Sequence, residues 1–268
     1  MTGPARASGA HGGRGAAGGA YSGGVPWAGR TLTPSPFAGD DGGADPRVAA
    51  ALGARAAALA AGAPADEGLA DVVAALAGTR VFVPGVAVAG ATEESSLTGL
   101  TTDAGADMAV VSLEAPDGRR AMPVFTSAAA LAAWRGAARP VPSEVERAAL
   151  SATAEGCPLL LLDPGSDGSA LLPRPAVEAL AQRLPWQPSW RREDVAEVAR
   201  AAAADEPSVR GVRVERGRRA ETAVVLGLAP GLDRAALDAL LGRVQQRLAA
   251  EPLVATAVDS LELRVVAA

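Results

Sequence analysis

Few side chains in this sequence could do covalent chemistry. The chain of 268 residues has one cysteine, Cys157, and one histidine, His11. A reactive thiol wants a cationic neighbour that lowers its pKa. His11 sits far away in a Gly/Ala-rich tail. A buried structural thiol is the simpler reading of Cys157. With one Cys and one His, no internal disulfide, CxxC motif, His-centred metal site or Ser-His-Asp triad can be assembled. Glu93-Glu94 and Asp40-Asp41 are adjacent acids in loops, which is not the facing pair that acid/base catalysis uses. The expectation is a non-enzymatic protein with no catalytic residue, no metal and no cofactor.

Binding chemistry is better represented. Asp163 precedes Pro164 at the end of an apolar run. Strand ends often place polar groups at a ligand cleft, and Asp before Pro also simply makes a turn. Arg174 stands at a helix start, against the preference of the helix dipole. An anion, either Asp163 or a ligand carboxylate, would explain it; so would plain solvation. Arg139, in the extended segment ARPVP, is similar. Phe125 and Trp134 either line a shallow apolar surface with the LPRP turn or serve as core and rim packing. Phe125, Trp134, Arg139, Asp163 and Arg174 are therefore the candidate binding residues. Arg210, Arg213, Arg216, Arg218 and Arg219 form a basic hairpin, but residues 191–268 balance 12 Arg against 12 acids. That suits a solvated face or a charge-guarded sheet edge more than nucleic-acid binding.

These residues need a scaffold, and the pattern supplies one. Residues 1–46 are rich in Gly, Ala, Pro, Ser and Thr, and read as a disordered leader. Trp27 and Phe37 within it are either stray aromatics or a strap that docks on the folded body or a partner. Asp45–Gly62 is an alanine-rich helix. Leu69, Val72, Val73 and Leu76 mark a second helix, stopped by Gly78. Thr79–Val88 is a strand whose apolar core ends at Pro84-Gly85, and Ala91–Gly105 is a loop. Asp107–Glu114 and Arg119–Phe125 form a hairpin about Pro116-Asp117-Gly118, where Gly supplies positive φ. Thr126 or Ser127 caps a helix through Trp134. Ser143 caps the next, with Glu146 as its capping-box partner. Pro158–Asp163 is a strand buried on both faces. Ala170–Leu172 is a short return strand. Pro173 or Pro175 opens a helix that turns Val177, Leu180 and Leu184 inward.

Beyond Trp186 and Trp190 a second unit begins. Its order is helix 194–203, strands 208–216 and 220–228, helix 233–249 and one or two strand segments in 254–266. That suggests helices on one face of an antiparallel sheet. The expected fold class is α+β: two small domains, 47–190 and 191–268, each a mostly antiparallel or mixed sheet packed by helices.

Composition narrows the class further. Hydrophobic residues make up 49% and charged residues 21%, enough for a buried core. No Ile, Lys or Asn occurs, and all 25 basic residues are Arg, so Arg-rich spots carry less information than usual. The formal net charge of -5 disfavours nucleic acid and anionic membranes. No apolar run reaches the length of a membrane span. No signal peptide is expected, and a cytoplasmic location is.

The segments PVFTS, LAAW, ARPVP, LLLLDP and LPRPAVEALA, in this order and spacing, resemble the SseB N-terminal domain family of bacteria (enhanced serine sensitivity protein B). Asp107–Met122 fits the family's hairpin. VPWAGR and AGDDGG are similar to a leader in versions from GC-rich bacteria, and residues 191–268 resemble the carboxy-terminal domain that accompanies it. The family name records a cellular sensitivity to serine, not a reaction. The resemblance supplies no catalytic residues. The lack of catalytic groups and the tail instead lead to the expectation of a protein-interaction or regulatory module with an unidentified protein partner. The alternative is a binder of an amino acid or other small carboxylate linked to serine metabolism, with Arg139 and Arg174 as its anion ligands.

Overall fold

The structure, a computed structural model, describes residues 37–87 and 108–268. The leader reading of residues 1–36, with Trp27 and His11, and the loop Ala91–Gly105 lie outside the described residues. Asp41–Ala268 form one compact unit. Eight helices and three sheets among the described residues make it α+β.

Helix α1 (Pro46–Ala60) starts at Asp45, whose carboxylate accepts from the Arg47 N–H. Its inward stripe is Val48, Leu52 and Arg55, at helical spacing. The buried Arg55 donates to the carbonyls of Ala65, Glu67 and Ser169, which supplies the partners that a buried cation requires. Helix α2 (Leu69–Leu76) buries Leu69, Val72, Val73 and Leu76, as their spacing predicts.

Strand β1 (Arg80–Ala87) lies within the expected range Thr79–Val88 and runs on through Pro84-Gly85 beyond its apolar core. It lies between β2 (Met108–Val110) and β5 (Arg139–Glu144), antiparallel to both. Pro84 faces Pro140, and Phe82 faces Pro142. The Phe82 N–H and carbonyl bond to Phe125 instead, at 2.7 and 2.8 Å respectively. Alternation therefore places all three prolines at positions where no N–H is needed between β1 and β5.

The run MAVVSLE, read from the sequence as one strand, is divided between two sheets. β2 joins β1, whereas β3 (Leu113–Glu114) pairs with β4 (Arg120–Val124) across the Pro-Asp-Gly turn, with Gly118 at φ 83. The second sheet has the order β3-β4-β6-β7, with β6 (Leu159–Leu162) parallel to β4 and antiparallel to β7 (Ala170–Leu172). Met122, Val124, Leu160, Leu162, Ala170 and Leu172 face the core formed with α1, α2, α4 (Val145–Ala154) and α5 (Arg174–Gln182). Ala121, Leu159, Leu161 and Leu171 face the other way. β6 is thus central and buried on both faces, as its continuous apolar run requires.

Two local expectations fail for stated reasons. Ser143 pairs with Val81 inside β5, and α4 begins at Val145 without a side-chain cap. Strand pairing claims Ser143, so its proposed capping-box partner Glu146 is buried and accepts from the Gly78 N–H at 3.1 Å. Leu184 is 55% exposed instead of inward. Arg183 adopts the left-handed conformation and ends α5 before Leu184 can join its apolar face.

The third sheet has the order β10-β9-β8, built from β8 (Val209–Arg216), β9 (Thr222–Leu228) and β10 (Leu261–Ala267). Helices α6 (Glu193–Ala202) and α7 (Arg234–Ala250) cover one face. Val254 belongs to α8 (Pro252–Ala257), not to a strand. β10 runs parallel to β9 and β8 antiparallel to it, so this sheet is mixed, within the expected mostly antiparallel or mixed class. The helical connection α7-α8 is what allows neighbouring strands to run parallel.

Asp259 ties this sheet to the rest. Its carboxylate accepts from both terminal nitrogens of Arg119 at 2.8 Å and from the Arg174 N–H at 3.1 Å. Its own N–H donates to Glu221, which also accepts from the Ser189 N–H. Arg216 adds ion pairs to Asp66 at 3.1 Å and Glu67 at 2.9 Å. Removing one partner of a buried pair costs roughly 3–5 kcal/mol. Arg119 is one-third exposed and keeps Asp117, so Asp259→Ala should lose less than that range, about 2–3 kcal/mol. Urea unfolding measures it, and a loss below about 0.5 kcal/mol, typical of an exposed pair, contradicts the role.

Candidate functional site

The C-terminal ends of the parallel strands β4 and β6 lie side by side. Asp163 follows β6, and its N–H donates to the Val124 carbonyl at 2.9 Å. Its backbone is left-handed, with φ 45, a conformation that Asp tolerates better than most residues. Its carboxylate accepts from the Thr126 N–H at 2.8 Å and bonds the Thr126 hydroxyl at 2.7 Å. Asp163 is therefore a clamp between two strand ends. Thr126, offered above as a helix cap, is the other jaw. Ser127 takes the capping role, accepting from the Ala130 N–H at 3.0 Å at the start of α3 (Ala128–Trp134).

α3 sets Trp134 against Phe125, with ring centroids 5.2 Å apart and a tilt of 42°. Phe125 is fully buried in a small cluster with Phe82 and Leu131, while Trp134 is half-buried. The Arg135 guanidinium lies over the Trp134 ring at 4.5 Å, the geometry of a cation–π contact. A cleft of about 340 Å³ opens here, lined by Ala130, Ala133, Trp134, Asp163, Pro164, Gly165 and Ser166. That volume is at the small end for a ligand pocket and suits one inserted side chain.

Phe125, Trp134 and Asp163 thus come together. The two arginines do not line this cleft. Arg139 is exposed in edge strand β5, with no side-chain partner among the described residues. Arg174 is fully engaged: it pairs with Glu178 at 3.0 Å and donates to the carbonyls of Ala255, Thr256 and Val258. Those carbonyls end α8, so the cation that stood against one helix dipole satisfies the C-terminus of another. Asp163 is not its anion; the Asp259 carboxylate accepts from its backbone N–H. Asp259, Arg119 and Arg55 escaped sequence reading because their partners are distant in the chain. Thr126 had one local signal, its place directly after a strand end.

Cys157 is buried, and burial pushes its thiol up, with nearby Arg120 only partly opposing this. It should react with a thiol reagent only on unfolding; rapid labelling of the native chain would contradict this. No cluster of three or more His, Cys, Asp or Glu able to hold a metal occurs among the described residues. A second cleft, of about 440 Å³, lies on the outer face of the β3-β4-β6-β7 sheet beside Leu161, Leu171 and Arg55.

Burial also pushes the Asp163 carboxyl above its ordinary range, opposed by the Thr126 hydrogen bonds. Burial raises Glu221 in the same way. An acid so raised holds its proton more tightly in the folded chain than in the unfolded one. Its stabilisation is complete below the ordinary carboxylate value and is lost as pH rises through the folded value. Asp163→Asn keeps an acceptor for the Thr126 N–H and a donor for its hydroxyl. It should reduce the fall of the melting temperature with rising pH just above the ordinary aspartate range, leaving the Glu221 part. Asp163→Ala leaves both Thr126 groups unpaired and should cost about 1–3 kcal/mol. Equal effects of the two substitutions would refute the clamp.

Residues 54–179 match the model of a family described as SseB protein N-terminal domain. No curated protein and no solved structure matches the chain.

Proposed function

We propose that this chain, which carries an SseB protein N-terminal domain, is a non-enzymatic protein-interaction module with a regulatory role in the cytoplasm. The matched segment includes β4, α3, β6 and most of α5, and so the whole Trp134 cleft. The observation that carries the reading is the state of Asp163. It is the one ionisable side chain lining the cleft, and both of its oxygens are bonded to Thr126. What the cleft offers is an aromatic wall, small residues and the neighbouring Arg135. Half-buried Trp beside Arg is the chemistry of an interface anchor. The partner we expect is a protein segment that places an apolar side chain against Trp134 and an acid near Arg135. We read residues 191–268 as the carboxy-terminal domain that accompanies SseB N-terminal domains, on the strength of its own core and the resemblance. No helix among the described residues is long and apolar enough to cross a membrane.

The alternative, an amino acid or other small carboxylate linked to serine metabolism, rests on Arg139, which is exposed. Arg174 already donates to protein groups. Under that reading a carboxylate raises the melting temperature of the chain and not of Arg139→Ala.

The interaction reading is tested by quantitative affinity capture from cells that naturally make the protein. Wild type, Trp134→Ala and the remote surface variant Leu184→Ser are compared. We expect a reproducible partner set that is retained by Leu184→Ser and reduced at least about tenfold by Trp134→Ala, the loss of one interface anchor. Identical recovery with all three would sink the proposal.

A further inference from the structure

The two edges of the C-terminal sheet are unlike. β8 carries an irregularity between Val209 and Gly211 and exposes Arg210 and Arg213, devices that blunt an edge against pairing. β10 has no irregularity against β9. It has one neighbour, and no backbone hydrogen bond from elsewhere among the described residues reaches the outer edge of 261–267. An unpaired row of N–H and carbonyl groups is a template for another strand.

The side chains of β10 say which strand. Its residues read Leu261, Glu262, Leu263, Arg264, Val265, Val266, Ala267. Leu261, Leu263 and Val265 share a face with the buried Val224 and Leu226 of β9, while Glu262 and Arg264 are on the other face. Place a second β10 antiparallel, with Leu263 opposite itself. Glu262 then falls opposite Arg264, Arg264 opposite Glu262, and Leu261 opposite Val265. Opposite charges facing each other across strands stabilise a pair. Moving the two-fold axis by one residue would set Arg264 against Arg264 or Glu262 against Glu262.

The apolar face agrees with this register. Val265 is 43% exposed, one of three large exposed hydrophobics among the described residues. Beside Leu261 is a groove of about 350 Å³ lined by Leu241, Gln245, Leu248, Ala249, Val254, Leu261 and Leu263. A partner's Val265, standing opposite Leu261, would sit at this groove. Arg264 already pairs with Glu215 at 2.6 Å, but a guanidinium has five N–H donors in a fork and can serve two carboxylates.

We propose that β10 pairs antiparallel with β10 of a second copy of this chain about a two-fold axis at Leu263, joining two three-stranded sheets into one. Charge complementarity and the groove that receives Val265 commit the edge to this occupant. The contact is isologous, so it closes at a dimer and does not propagate.

Sedimentation of the full chain tests it. Wild type is expected to sediment as a dimer, and Val265→Asp, which places a charge at an already exposed site, as a monomer with unchanged circular dichroism. Glu262→Arg sets Arg against Arg across the axis and should dissociate the dimer. The double variant Glu262→Arg/Arg264→Glu restores opposite charges and should restore the dimer. Leu263→Cys should form an intermolecular disulfide on mild oxidation, because Cα atoms directly opposite lie about 4.5–5.5 Å apart, within disulfide reach; Ala267→Cys should not. A monomeric wild type at high micromolar concentration overturns the proposal. So does a dimer that survives both Val265→Asp and Glu262→Arg, or one cross-linked equally through Ala267→Cys.

Discussion

Asp259 carries more of this architecture than any other side chain. It sits between α8 and β10 and meets groups from the β3-β4 hairpin and from the start of α5. Through its N–H it reaches Glu221 at the foot of β9, and through Glu221 the turn at Ser189. Each of these elements comes from a different part of the chain. A charged hydrogen bond is stronger than a neutral one where water is scarce, and the Asp259 side chain is 7% exposed. The consequence is geometric. The three-stranded sheet is held at one orientation by a carboxylate that bonds a planar guanidinium in a two-pronged grip. Arg174 reinforces the same seam from the other side by closing the end of α8.

The second organising constraint is the parallel pair β4-β6. Parallel strands end together, so the residues just after them, Thr126 and Asp163, are neighbours in space though far apart in sequence. Their hydrogen bonds fix where α3 departs and where the turn 164–168 begins. Trp134 and the cleft beneath it follow from those two directions. The site is rigid because its floor is the buried Phe125 and its corner is a bonded carboxylate. That rigidity suits recognition of a side chain, since less ordering entropy is lost on binding.

The outer surface of the third sheet shows the same physics at a lower dielectric cost. Val225 and Ala223 are buried without a covering helix. Arg213, Glu215 and Arg264 form a lattice above them, with contacts of 3.0 and 2.6 Å. The stems of long charged side chains cover apolar surface while their heads stay wet. The basic hairpin noticed in the sequence is largely this cover, balanced by acids on adjacent strands.

The sequence by itself determined most of the elements and carried the likeness to the SseB protein N-terminal domain that residues 54–179 match. Helical spacing placed α2 to the residue, Pro-Asp-Gly placed the β3-β4 turn, and the unbroken run before Asp163 marked β6 as central. Those signals are local, carried by backbone preference and side-chain period within a few residues. The α+β class followed from their order. What the sequence left open was every partnership between distant residues. It offered Ser143 and Glu146 as a cap, and strand pairing redirected both. It paired Arg174 with Asp163 or a ligand, and tertiary packing gave it the end of α8. It flagged Phe125, Trp134 and Asp163 separately, and only the parallel register of β4 and β6 made them one site. A hydrogen bond depends on position in space, and where two segments meet is decided by how all the apolar faces are buried together, not by the residues on either side of the bond.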